Sequence, residues 1–150
     1  MQNEDYKMND QKMLSIAISI TAHAFREKYD KGGNPYILHC LNVMYNVGED
    51  PLTQMAAVMH DLIEDTEWTY ADLISLGFSV DCLSVLDNVT HRDGEDYDDY
   101  IRRVATDPRS VKIKRADLEH NSLITRMKGL RAKDFKRLEK YHKAYTYLSE

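Results

Sequence analysis

The spacing of apolar residues constrains the fold of this chain more than any other feature. Apolar residues recur three and four positions apart, as Ile16, Ile20 and Ala24 do, and no long segment alternates with a period of two. This spacing is typical of helices that bury one face. The 150 residues fit a single domain, and the sequence contains no internal repeat. We therefore predict an all-α, single-domain helical bundle.

Glycine, proline and acidic segments divide the chain into eight predicted helices. The breaks lie at KGGNP, GEDP, Gly77, HRDGED and Asp107–Pro108, and Thr69 with Asp72 forms a capping-box pattern. The segment 52–65 is apolar on nearly all sides, so we expect it at the centre of the bundle. The predicted helices run from Asn9 or Asp10 to about 31–35, Pro35 to Val47, 52–65, 69–76, Val80 to Thr90, Tyr97 to Thr106, Arg109 to Met127, and Ala132 to Leu148.

Charge and composition exclude several classes of protein. The net charge of −5 argues against a general nucleic-acid binder, and no apolar run reaches membrane-spanning length. The polar, acidic start MQNEDYKMND does not resemble a signal peptide, and Cys40 and Cys82 follow no disulfide or zinc-knuckle spacing. We therefore predict a cytoplasmic protein without a nucleic-acid or membrane partner. The basic stretch from Lys112 to Lys143 would suit an anionic small molecule.

The segment HDLIEDT concentrates metal-ligand chemistry. On one helix, Glu64 would lie beside His60 and Asp61, and Asp65 would follow Asp61 by one turn. Three carboxylates and an imidazole repel one another unless a cation lies among them, and this donor set suits Mn²⁺, Fe²⁺ or Zn²⁺ better than Ca²⁺. Further ligands must come from elsewhere in the chain.

His39 and Asp117 are the candidates for the missing ligands. His39 is flanked by apolar residues in NPYILH, and Asp117 lies in the helical stretch KRADLEHN. Each also has an ordinary structural explanation, because a lone histidine on an apolar face is usually a hydrogen-bonded core residue. Asp117 would then be a surface acid paired with Lys114 or Arg115.

Taken in order, these residues give the pattern H…HD…D, which resembles the metal-binding signature of the HD-domain phosphohydrolases. The chain most resembles the hydrolase domain of the RelA/SpoT family and its small stand-alone relatives, which remove the 3′-pyrophosphate of ppGpp. The resemblance covers about residues 12–127, followed by a C-terminal helix over 132–148. It rests on AHAFREKYDKGGNPYILH, AAVMHDLIEDT, VT at 89–90 and VKIKRADLEHN.

The resemblance implies a role for each matching residue. One Mn²⁺ would be held by His39, His60, Asp61 and Asp117. Glu64 and Asp65 would orient or deprotonate the attacking water, while Asn121 would contact the sugar and Lys31 would lie near the base and phosphates. Tyr36 matches the tyrosine of the family's PYI segment, and we also expect Lys114 to contribute to a phosphate-holding wall with Lys112, Arg115 and Arg126.

Three positions differ from the family's pattern. Asp30 stands where the family has an arginine that packs against the guanine base, and Leu118 and Ile124 replace an arginine and a threonine. The metal centre thus matches more closely than the substrate pocket, and we expect arginine at position 30 to raise activity on guanine nucleotides.

The resulting prediction is a ppGpp 3′-pyrophosphohydrolase-like enzyme with a small-molecule nucleotide substrate, its oligomeric state left open. Two alternatives remain: an HD phosphohydrolase acting on a different nucleotide, and a protein that binds metal and nucleotide without turnover. The presence of both Glu64 and Asp65 favours an enzyme, since a binding site has less need of a water-activating acid pair.

Overall fold

The structure, a computed structural model, describes the backbone of residues 2–150 and the side chains from residue 9 onward. Over that range the chain forms helices and no strand, apart from an isolated bridge between Tyr29 and Pro35. The all-α prediction is confirmed. The helices are α1 (Gln2–Ala24), α2 (Ile37–Tyr45), α3 (Pro51–Val58), α4 (Leu62–Asp65), α5 (Tyr70–Ser75), α6 (Val80–Val89), α7 (Tyr97–Val104), α8 (Pro108–Asn121), the 3-10 turn Ile124–Arg126, and α9 (Ala132–Leu148).

Side-chain caps begin several of these helices where the sequence predicts. Asp50 accepts a hydrogen bond from the N–H of Thr53 at the start of α3, with Pro51 as the first helical residue. The predicted capping box of Thr69 and Asp72 forms at α5. Asp107 caps α8 by accepting the N–H of Arg109, with Pro108 at the start of the helix.

Three predicted helix ends are wrong, and one predicted helix is interrupted. α1 extends back to Gln2, so Asn9 and Asp10 lie inside it rather than at its start. It also ends early, at Ala24, so the glycines of KGGNP do not cap it. The predicted helix 52–65 is interrupted between α3 and α4, and α8 ends at Asn121 instead of near Met127.

The buried residues form two separate clusters. The larger one is centred on α3, as predicted, and α3 packs against α1, α2, α6 and α8. The smaller cluster joins α7, α8 and α9 and consists of Tyr100, Ile101, Val104, Leu118, Ala144 and Leu148. Because α8 contributes to both clusters, it connects the two parts of the bundle.

The cysteines and the helix lengths bear on two further predictions. Cys40 and Cys82 are both free and buried, in agreement with the expectation that the chain forms no disulfide framework. Among the described residues, none of the helices combines the length and apolarity needed to cross a bilayer.

Candidate metal centre

Three buried side chains from distant parts of the sequence meet at the junction of α2, α3 and α8. One ligand atom each from His39, His60 and Asp117 lies within 4.8 Å of the others, a spacing that could hold a metal ion. The Oδ1 atom of Asp117 is 3.0 Å from Nε2 of His39 and 3.2 Å from Nε2 of His60. The structure thus brings together residues that are 78 and 57 positions apart.

The break between α3 and α4 orients His60. Its Nδ1 lies 2.7 Å from the carbonyl oxygen of Ala57, so Nδ1 carries the proton and donates a hydrogen bond to that oxygen. In the neutral ring, the lone pair of Nε2 then faces the carboxylates of Asp61 and Asp117. That arrangement is repulsive unless a proton or a cation lies between the three groups.

The pKa of His60 reflects this repulsion. Burial lowers the pKa, but the two carboxylates outweigh burial and hold it well above the usual value for histidine. A divalent cation would satisfy the same lone pair without protonating the ring. The donor set of two imidazoles and one buried carboxylate therefore fits a transition metal.

Asp61 lies at the edge of this cluster. Its Oδ2 atom is 3.0 Å from Nε2 of His60 and 4.0 Å from Nε2 of His39, and it accepts a hydrogen bond from the Tyr36 hydroxyl. Burial raises the pKa of Asp61, but the charge of His60 and the hydrogen bond from Tyr36 have the larger effect and lower the pKa to about 2. The Asp61 carboxylate is therefore charged and held in place at neutral pH.

Two side chains of α8 hold the Asp117 carboxylate. Asn121 donates from Nδ2 to Oδ1 at 2.9 Å, and the ammonium of Lys114 lies 2.9 Å from Oδ2. Burial raises the pKa of Asp117, but Lys114 and His60 outweigh it and hold the pKa well below its usual range. Lys114 thus pairs with the acid of the cluster, and its expected part in a phosphate-holding wall stays a prediction.

His120 contacts His39 on the side away from the cluster. The two Nδ1 atoms are 2.7 Å apart, and the rings stack with their centroids 5.0 Å apart. Burial and the nearby charge of Arg126 lower the pKa of His120 to about 4, so this ring is neutral at pH 7. If His39 binds a metal through Nε2, its Nδ1–H must donate to His120.

The predicted single helix is wrong, because residues 59–61, which include His60 and Asp61, form a turn between α3 and α4. Asp65 does follow Asp61 by one helical turn, with its N–H bonded to the carbonyl oxygen of Asp61. The carboxylates of Glu64 and Asp65, however, bond to groups outside the cluster. Glu64 turns toward the next loop, where its carboxylate accepts the backbone N–H of His91. Asp65 turns the other way and forms an ion pair with Lys28, with Nζ and Oδ2 2.9 Å apart.

Glu64 nevertheless remains within electrostatic range of the cluster. Desolvation raises the pKa of its carboxyl group, the His91 N–H opposes that rise, and the charge of Asp61 adds to it. The group therefore holds a proton more readily than an ordinary glutamate does.

A cleft of about 310 Å³ adjoins the metal cluster, within the size range of small-molecule sites. Tyr36 and Asn121, which contact Asp61 and Asp117, line its inner end. Lys31 also lines this cleft, and its role near the base and phosphates stays a prediction. The lining carries four basic residues and one acid, which suits an anionic ligand: Lys28, Lys31, Arg126, Arg137 and Asp30.

Sequence reasoning assigned no role to several residues of the site. Arg137 and Tyr141 come from α9, outside every quoted motif, and the sequence gives no signal that α9 folds against the cleft. Lys28 stacks over the Tyr36 ring at 4.0 Å, a contact set by the turn after α1. Only His120 has a detectable signal, because it lies one helical turn after Asp117.

Comparison with known proteins gives relatives of one kind. No protein-family model matches the chain. The bifunctional (p)ppGpp synthase/hydrolase SpoT of Escherichia coli is 36% identical over 132 residues, covering 79% of this chain and 19% of that protein. A probable GTP pyrophosphokinase of Mycobacterium leprae is 31% identical over 132 residues, covering 81% and 17% respectively. The chain thus spans less than a fifth of the length of these curated relatives.

A solved structure extends the comparison to the fold. It is described as a metazoan ortholog of SpoT that hydrolyzes ppGpp, and it matches with a TM-score of 0.76 at 21% identity. The match covers 91% of this chain and 84% of the other. The chain is therefore a homologue of the RelA/SpoT-type ppGpp synthases and hydrolases, and it has the helical fold of a SpoT-type hydrolase.

Proposed function

We propose that this chain is a metal-dependent hydrolase that removes the 3′-pyrophosphate of guanosine 3′,5′-bis(diphosphate). The observation that carries the proposal is the buried cluster of His39, His60 and Asp117, which adjoins a cleft lined by four cations. The names of the relatives support the same substrate, since one from Aquifex aeolicus is a guanosine-3′,5′-bis(diphosphate) 3′-pyrophosphohydrolase. We further propose a cytoplasmic location.

The metal would be held by His39, His60, Asp61 and Asp117, and we propose Mn²⁺ as the ion. When bound, such an ion lowers the pKa of a coordinated water and polarises a phosphoryl oxygen. Asp61 is suited to be the fourth ligand because Tyr36 fixes its Oδ2 atom beside His60. Mixed imidazole and carboxylate donors favour a transition metal over Ca²⁺.

The remaining residues would bind the substrate and transfer the proton. Glu64 takes the proton of the attacking water, because its raised pKa makes it a better base than an ordinary glutamate. Asp65 holds Lys28 in the cleft, and Lys31 binds phosphate at the rim. Asn121, which donates to Asp117 and lines the cleft, would contact the sugar.

The reaction adds one water to the phosphorus attached to the 3′ oxygen. The bond between that phosphorus and the 3′ oxygen breaks, and the 3′ oxygen leaves with a proton. The products are pyrophosphate and GDP, so the two phosphate-bearing products differ in size and are easily distinguished.

A panel of nucleotides incubated with Mn²⁺-loaded protein tests the proposal, with released phosphate and pyrophosphate measured separately. We expect pyrophosphate from ppGpp. Glu64→Gln should lower kcat about 10²- to 10⁴-fold while leaving Mn²⁺ content unchanged. Glu67→Gln, which lies just beyond α4 and is exposed, is the matched control and should keep full activity. If the protein hydrolyses no nucleotide of the panel, the enzyme proposal is contradicted and the alternative of a binding protein remains.

A different nucleotide substrate is the second candidate. Asp30 favours it, because the family's base-packing arginine is absent at this position. Turnover of another nucleotide in the same panel, with ppGpp left intact, would decide for this candidate.

A further inference from the structure

One ion pair in the cleft has no part in the proposed metal chemistry. Arg126 Nη2 lies 3.0 Å from Asp30 Oδ2, and the two side chains are only 22% and 12% exposed. The same guanidinium donates from Nη1 to the carbonyl oxygen of His120 at 2.6 Å. The carboxylate of Asp30 and the carbonyl oxygen of His120 therefore hold the edge of the guanidinium in place.

The second carboxylate oxygen of Asp30 organises the loop that faces Arg126. Oδ1 accepts the backbone N–H groups of Gly32 and Asn34, both at 2.9 Å. Burial raises the pKa of Asp30, but the hydrogen bonds from the Asn34 N–H and from Arg126 outweigh burial. The net pKa lies below its usual value, so the carboxyl group is ionised. Asp30 thus holds its own loop and Arg126 at the same time.

Gly32 shows that the two segments fit closely. A Cβ atom at this position would overlap the backbone carbonyl oxygen of Arg126. Any larger residue would push the 124–126 turn away from the loop and out of the cleft. The contact between Asp30 and Arg126 therefore belongs to a closely packed junction rather than to a mobile surface pair.

The chemistry of a paired guanidinium decides what it can bind. Asp30 neutralises much of the charge of Arg126 and occupies its edge, which weakens it as a phosphate ligand. Arg126 lines the cleft, and arginine stacks on aromatic rings through its planar face, which neither of these two contacts uses. Exposed or partly exposed apolar groups adjoin Arg126 in the cleft, namely Tyr29, Leu123 and Met127, as a nucleobase site would require.

We propose that Arg126 stacks on the nucleobase of the substrate and determines specificity, and that Asp30 is its positioning residue. This inference rests on the proposed function, since it assigns the base end of the same cleft. The acid at position 30 then holds a guanidinium supplied from 96 positions away. Arginine at position 30 should therefore raise KM, the opposite of the expectation from sequence, because it would displace Arg126.

Two conservative variants separate the two roles. Arg126→Lys keeps the positive charge but loses the planar group, and Asp30→Asn keeps an acceptor for both backbone N–H groups but loses the ion pair. Arg102→Lys, in the exposed pair with Asp99 on α7, is the matched control. The measurements on the full chain are kcat and KM for ppGpp with Mn²⁺, inhibition by inorganic pyrophosphate, and calorimetric titration with GDP.

We expect Arg126→Lys to raise KM for ppGpp, and to weaken GDP binding, about tenfold. Neither kcat nor inhibition by pyrophosphate should change, because pyrophosphate has no base. Asp30→Asn should act in the same direction, and the double variant should be no worse than Arg126→Lys alone. The control should behave as the wild type does. Thermal melts verify that each variant is folded, and Arg126→Lys decides the question even if the Asp30 variant unfolds.

Three results would overturn the proposal. An unchanged KM in Arg126→Lys would place the base elsewhere, and equal weakening of pyrophosphate would make Arg126 a phosphate ligand. Additive effects in the double variant would remove the positioning role of Asp30. If the wild type hydrolyses no ppGpp, the proposed function fails by itself. The GDP titration then decides the inference: weaker binding by Arg126→Lys supports it, and equal binding refutes it.

Discussion

Single residues outside the metal cluster decide how its ligands are presented. When His39 offers Nε2 to a metal, its Nδ1 carries the proton, and His120 lies 2.7 Å away as the acceptor that fixes this tautomer. The low pKa of His120, about 4, keeps this acceptor unprotonated at neutral pH. Sequence motifs identify His39, but the need for His120 follows only from the contact between the two rings.

Replacement of His120 by phenylalanine tests this dependence. His120→Phe preserves the ring that stacks on His39 but removes the acceptor nitrogen, so we expect Mn²⁺ affinity to fall about 10- to 100-fold. Isothermal titration of the apo protein with Mn²⁺ measures the effect without any turnover. His142→Phe, exposed on α9, is the control. Equal affinities for the two variants would mean that His120 does not orient His39.

At the level of secondary-structure elements, one arginine organises the connection between α6 and α7. Arg103 donates to the carbonyl oxygens of Asp87 and Thr90 at the end of α6, and it forms a two-point contact with Glu95 at 2.7 and 3.0 Å. This loop also supplies the His91 N–H that contacts Glu64. The position of the proposed base therefore depends on the Arg103–Glu95 pair.

The pKa of Glu95 predicts how this pair responds to pH. The hydrogen bonds from Arg103 lower the pKa of Glu95 from 4.5 to about 2. A lowered pKa stabilises the folded state above the unfolded value of 4.5, and the stabilisation is lost as the pH falls toward 2. Glu95→Gln should therefore cost about 1–3 kcal/mol of unfolding free energy at pH 7 and progressively less below pH 4.5.

Urea unfolding of wild type and variant at pH 7 and pH 3 checks this prediction. Asp93→Asn, an exposed acid in the same loop, serves as the control and should change stability little at either pH. A difference between wild type and Glu95→Gln that stays constant with pH would show that the carboxylate charge contributes nothing.

Local sequence signals predicted the helices well wherever a cap or a proline fixes the end. The starts at Asp50–Pro51, Thr69 and Asp107–Pro108 are examples. The break before α4 has no such signal, because MHD contains neither glycine nor proline. It is stabilised by the contact of His60 with Ala57 and by the convergence of ligands from other helices. Such an interruption depends on tertiary contacts, so local sequence patterns do not predict it.

The same difference between local sequence signals and tertiary contacts explains which parts of the site could be predicted. The motif residues His39, His60, Asp61 and Asp117 converge, because their spacing reflects the helices that present them. The substrate end could not be predicted, since Arg126 and Arg137 reach the cleft only through the packing of the turn after α8 and of α9. A departure at position 30 is visible in the sequence, but its compensation by Arg126 appears only in three dimensions.

For the molecule as a whole, the two hydrophobic clusters predict uneven stability. α9 is anchored through the smaller cluster, to which it contributes Ala144 and Leu148, whereas α3 is surrounded on several sides by other helices. Elements with fewer buried contacts open at lower free energy. In hydrogen exchange followed by mass spectrometry, we expect amides of α9 to exchange about tenfold faster, or more, than those of α3. Equal protection of the two helices would show that the bundle opens as one unit.

The attachment of α9 has a practical consequence for detecting ligands. Arg137 and Tyr141 of this helix line the cleft, while the metal cluster belongs to the larger body. A molecule seated in the cleft touches both parts at once and ties the less stable helix to the more stable one. A fluorophore on the solvent-facing side of α9 would then signal occupancy by nucleotides that are never cleaved, giving a screen for inhibitors that needs no enzymatic product.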